Sequence, residues 1–205
     1  MFTRIAVLTM TALLLVGCSS AEEQPAPSPT PTQQESTPTV PEIGSQSAAL
    51  GEVRMPVPPT RLQFDSLGID VTVQPVGVQP DGLMEIPPRV EVAGWYKYGS
   101  DPGSAAGTTV IAAHVDSPVY GIGPFAELKN ASVGETVTVT SADGTTPDFV
   151  VESVERVGKT QLPLDQIFDR DGAPRLALIT CGGQFDYGTG HYVDNIVVIA
   201  VPTMP

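Results

Sequence analysis

After Arg61 apolar residues recur at every second position between turn formers, and the spacing of an amphipathic helix is nearly absent. That pattern predicts strands over Leu62–Asp65, Ile69–Val76, Leu83–Ile86, Thr108–Ala113, Glu135–Thr140, Asp148–Val157, Arg175–Thr180 and Tyr192–Val201. Asp81-Gly82 and Asp143-Gly144 stand where hairpin turns are needed, because the glycine accepts the positive φ of such turns. Phe125–Lys129 and Leu164–Phe168 each read as a turn or two of helix. Thr136–Thr140 alternates strictly, one face for the core and one for water. Ile196–Val201 is apolar throughout and predicts a strand covered on both faces. Eight strands with little helix predict a mainly β fold, a closed or nearly closed barrel that leaves no sheet edge exposed.

Upstream the composition changes. Residues 19–60 are rich in Pro, Thr, Ser, Gln and Glu and cannot bury enough apolar surface to fold. A tether of that length spans roughly 35 Å as a flexible coil and up to roughly 130 Å as polyproline. Ahead of it, Arg4 is followed by an apolar run ending Leu15-Val16-Gly17-Cys18, a secretory signal with a small-residue cleavage site. The run falls short of the roughly 20 apolar residues of a membrane span. The expected organisation is a signal at 1–17, a tether at 18–60 and a catalytic domain at 61–205. Leu-Val-Gly-Cys resembles the bacterial lipobox, which implies cleavage before Cys18, lipidation of its sulfur, and a protein held by acyl chains on the outer face of the membrane, facing the cell wall.

With Cys18 lipidated, Cys181 is the one remaining thiol and no internal disulfide forms. A lone cysteine is often just a small hydrophobe. Cys181, however, ends a predicted strand, as does His114, and strand ends present side chains to clefts. Two histidines and one thiol do not make a zinc motif, and no dedicated calcium loop is visible among the carboxylates. The formal charge is −13, with eight Lys/Arg against eighteen Asp/Glu over residues 61–205, so nucleic acid is not an expected partner.

Leu178-Ile179-Thr180-Cys181 is similar to the Leu-x-Thr-Cys signature of sortases, and Thr109–Asp116 resembles the histidine strand upstream of it. The likeness continues through Pro102-Gly103, Phe125-Ala126-Glu127-Leu128, Gly134-Glu135-Thr136-Val137, and from Cys181-Gly182-Gly183 to Asp194-Asn195. It runs in family order over essentially all of residues 61–202. The double glycine and Asp194-Asn195 most resemble the class F branch of actinobacteria.

The resemblance implies an eight-stranded barrel with one or two short helices, no cofactor, and a cysteine transpeptidase. Cys181 would attack the threonine carbonyl of a Leu-Pro-x-Thr-Gly-like signal on a surface protein. The thioacyl enzyme would then pass to an amine of a peptidoglycan precursor or another acceptor. His114 takes the acid/base role in the family pattern, although His191, ten residues after Cys181, is a second candidate by proximity. Thr180 is placed beside the substrate by the family, while strand alternation points it away from Cys181. Sortases carry an arginine just before the last strand, yet no Arg or Lys follows Arg175 here. Asn195 falls at or near that position as an oxyanion donor, with Arg89 or backbone amides as the alternative. Trp95, Tyr96 and Tyr98 read as core or rim, or as peptide contacts. Two other readings stay open: a non-catalytic sorting-signal or wall-binding module, and a secreted cysteine hydrolase.

Overall fold

The structure is a computed structural model that describes residues 54–203; the expected signal, Cys18 and nearly all of the expected tether lie outside them. Its strands are β1 Pro59–Phe64, β2 Ile69–Val76, β3 Val92–Tyr96, β4 Thr108–Ala112, β5 Asp116–Ser117, β6 Gly121–Ile122, β7 Thr136–Ser141, β8 Asp148–Gly158, β9 Arg175–Asp186 and β10 His191–Pro202. Eight close a barrel in the order β1-β2-β3-β4-β9-β10-β8-β7, and β5 with β6 forms a separate hairpin. Pairing is antiparallel except between β2 and β3 and between β4 and β9. Helical structure amounts to α1, Leu164–Ile167, and 3-10 segments at Asp65–Leu67, Pro124–Asn130 and Lys159–Gln161.

Alternation builds the interior. In β2, Ile69, Val71 and Val73 are buried while Asp70, Thr72 and Gln74 face water. They pack with Leu62, Phe64, Trp95, Phe149, Leu176, Leu178 and Val198, and with Phe125 and Leu128 of the 3-10 segment. Each such side chain contributes roughly 1.5–3 kcal/mol by leaving water. β10 is covered on both faces, as its composition predicts: Ile196, Val198 and Ala200 face inward. Val197 and Ile199 instead join a second apolar cluster with Val110, Ile167, Phe168 and Ile179 on the outer wall.

Several elements differ from expectation, the β5–β6 hairpin among them. Leu83–Ile86 makes no ladder, only an isolated antiparallel bridge between Met84 and Val78, closed by a tight turn in which the Gly82 amide donates to the Gln79 carbonyl (2.9 Å). The eighth barrel strand is β3. Gly94 interrupts its alternation, and a Cβ there would stand 2.9 Å from the Val76 methyls, so the glycine lets β3 lie against β2. Asp143-Gly144 does turn β7 into β8, with Gly144 at φ 85°. At the N-terminal end, Arg54 donates twice to buried Asp101 (2.7 and 3.0 Å) and the Val57 amide once (2.9 Å). The chain therefore packs on the barrel a few residues ahead of Arg61.

Candidate active site

The parallel pairing of β4 and β9 sets the geometry. Ala112 pairs with Ile179 at the end of the ladder. One residue on, the Ala113 amide still donates to the Ile179 carbonyl (3.2 Å), and the Thr180 hydroxyl donates to the Ala113 carbonyl (2.8 Å). Across the other edge of β9, Cys181 pairs with Asn195 of β10, and Asn195 pairs with Val157 of β8. Directly paired residues share a face. Cys181 and Asn195 thus share the outer wall, next to the row of Ala112, Ile179 and Val197, and His114 is the second residue past the end of β4.

Cys181 is a free, half-buried thiol, and His114 is half-buried as well. Asn195 is 8% exposed and borders an apolar groove of about 510 Å³. Ala112 and Ile179 lie on the groove floor, with Tyr96, Ile167, Phe168 and Leu162 around it. Tyr96 packs edge-to-face on Phe168, ring centroids 5.0 Å apart. Trp95 belongs to the core, its indole N–H donating to the Ser100 carbonyl (2.9 Å).

Thr180 lies on the inner face, as alternation requires, and is 3% exposed. It reaches the site through the backbone ahead of His114, not through a surface open to the groove. His191 pairs with Asp186, five residues along β9 from Cys181, or roughly 16 Å at strand rise. His114, by contrast, follows β4, the strand paired with β9 on its other edge. Arg89 is held by Glu91 and lies 5.6 Å from the Tyr120 ring centroid. β9 itself runs five residues past Cys181, so the thiol sits within a paired strand and not at its end.

The glycines after the thiol have a steric reason. A Cβ on Gly182 would stand 2.8 Å from Ile196 Cγ1, and one on Gly183 would stand 2.3 Å from Asp194 Oδ2 at a φ of 75°. Beyond them, the Tyr192 hydroxyl donates to Asp116 Oδ2 (2.6 Å), tying β10 to the hairpin that follows His114. That bond, then burial and the nearby Asp116 and Cys181 charges, push the Tyr192 phenol up to about 12. Sequence reasoning missed Tyr192 and Asp116, because only barrel closure brings residues 76 positions apart together. Among the described residues, no three or more His, Cys, Asp or Glu are grouped to hold a metal ion.

A free thiol at the border of a cavity is the nucleophile that cysteine-dependent acyl transfer needs. The chain belongs to the sortase family of cysteine transpeptidases: a family model described as the Sortase domain matches residues 62–203. Among solved structures it is similar to sortase C-1 from Actinomyces oris, at 19% identity and a TM-score of 0.54, covering 71% of this chain and 73% of that one. Sortase C2 of the Group B Streptococcus pilus island 1 gives 20% identity and 0.53, covering 75% and 77%. Sortase A from Corynebacterium diphtheriae gives 16% and 0.52, covering 75% of this chain and 64% of that one. At these identities the likeness is one of fold. No curated protein matches the chain.

Proposed function

We propose that this transpeptidase cleaves a Leu-Pro-x-Thr-Gly-like sorting signal on surface proteins and transfers them to an amine of the cell wall. The observation that carries this reading is the free Cys181 thiol paired across the ladder with Asn195, which borders an apolar groove of about 510 Å³. An apolar trough suits the Leu-Pro end of such a signal and leads its threonine carbonyl to the thiol. Cys181 Sγ attacks that carbonyl, and His114 protonates the departing glycine amine. An acceptor amine then displaces the thiolate and gives its proton to His114. The Asn195 amide donates to the oxyanion where relatives use arginine.

Gly182-Gly183 and Asp194-Asn195 support a class F assignment, and the sequence around Cys18 supports a lipid anchor on the outer face of the membrane. The test is product analysis with purified protein, a Leu-Pro-x-Thr-Gly peptide library and an added amine. Transfer product is expected. Hydrolysis alone would make the protein a cysteine hydrolase, and binding without turnover a recognition module.

A further inference from the structure

Cys181 borders a second cavity, of about 280 Å³, formed further along β9 with Gly182 and Gly183. Its other walls include Lys129 from the 3-10 segment, Arg156 from β8, and the Asp116–Tyr192 pair. Two cations here run against the character of the domain, which holds eight Lys/Arg against eighteen Asp/Glu over residues 61–205. Among the described residues, Arg54, Arg61, Arg89 and Arg175 each have a carboxylate at ion-pair distance; Lys97, Lys159 and Arg170 have none, nor do Lys129 and Arg156, the two that line a cavity with the thiol. The neighbouring Glu127 accepts from Asn130 (2.7 Å). Asp116, the carboxylate inside the cavity, accepts the Tyr192 hydroxyl. Both cations are left for an anion that comes from outside.

We infer that this cavity receives the acceptor, and that Lys129 and Arg156 bind a carboxylate carried by the incoming amine. The inference rests on the proposed transpeptidation and names its second substrate class, an amine bearing an anionic group. The two cavities divide the work: the apolar groove takes the acyl side, and the cationic cavity takes the nucleophile. In the transfer step the amine nitrogen bonds to the thioester carbonyl carbon, the C–S bond breaks, the Cys181 thiolate leaves, and the amine proton passes to His114. The carboxylate does not react. It anchors the amine against Arg156, whose fork matches a carboxylate, and Lys129, a point charge. Elsewhere the acidic surface repels such a molecule, and anchoring raises the amine's effective concentration over water.

The test compares Gly-Gly-Glu-amide with Gly-Gly-Gln-amide, acceptors with the same amine that differ by one carboxylate. Acyl-enzyme formation with a Leu-Pro-x-Thr-Gly peptide is measured separately from its partition between transfer and hydrolysis. Wild-type protein is expected to favour the Glu acceptor about tenfold, the scale of one charged hydrogen bond. Lys129→Gln with Arg156→Gln should remove the preference and leave acylation unchanged; both residues are exposed, so the fold tolerates the change. Equal use of the two acceptors by wild type, or a preference that survives the double variant, would overturn the inference. So would slower acylation in Arg156→Gln, which would place the arginine on the acyl carbonyl. Titration of Gly-Gly-Glu-amide into Cys181→Ala protein reads the same site without chemistry. Binding there that needs Lys129 and Arg156, in a wild type that never acylates, would leave the anion site standing and overturn the enzymatic reading instead.

Discussion

Thr180 donates its hydroxyl to the carbonyl of Ala113 across 2.8 Å, inside the barrel, and so links the residue before Cys181 to the residue before His114. Thr180→Val keeps the shape and removes the donor, leaving a buried carbonyl unpaired. The expected cost is about 1–3 kcal/mol in denaturant unfolding. Acylation should slow as His114 loses its fixed place, and Thr180→Ser should restore most of both. A valine variant as stable and as fast as wild type would remove this link from the account.

Asn195 is the cross-strand partner of Cys181 and borders the groove. If its amide meets the oxyanion, Asn195→Ala lowers the acylation rate by about 10²-fold or more in single-turnover measurements. A folded variant that acylates within a few-fold of wild type would assign the oxyanion to another donor.

Tyr192 gives a pH signature. Its folded pKa of about 12 lies above the ordinary phenol value of 10.0, so its bond to Asp116 stabilises the fold fully below pH 10. That contribution is lost as pH rises from 10 through 12. Thermal melts of wild type and Tyr192→Phe should therefore differ by a constant amount up to about pH 10 and converge above it. Parallel curves to pH 12 would contradict the assignment.

The Cys18 reading is tested on the mature N-terminus. Mass spectrometry should find an acylated Cys18 as the first residue, and Cys18→Ala should leave the protein unlipidated with its domain intact. An unmodified N-terminus elsewhere would remove the anchor.

What the sequence made legible follows from where the information lies. Period-two alternation exposes β2, β7 and β8, and continuous apolarity exposes β10, because each records which faces are buried. β3 escaped because Gly94 serves a close approach to Val76, a need set by a neighbour and invisible in local pattern. Leu83–Ile86 has strand composition but no strand beside it beyond one bridge. The thiol and imidazole were legible through their motifs. Weighing His114 against His191 needs the strand registers: His191 pairs five residues away from Cys181, whereas His114 follows the strand paired with β9 on its other edge. Asp116, Tyr192, Lys129 and Arg156 carry no motif, and only the closed barrel gathers them.

The most direct test of the central claim is intact-mass analysis of the protein mixed with a Leu-Pro-x-Thr-Gly peptide in the absence of an amine. Wild-type protein is expected to carry an adduct with the mass of the acyl fragment on Cys181 and to release the glycine-containing fragment in equal amount, with neither seen in Cys181→Ala. His114→Ala should form the adduct at least about 10²-fold more slowly. Peptide cleavage that persists in Cys181→Ala, or a wild-type protein that releases no fragment from any such peptide, would contradict it.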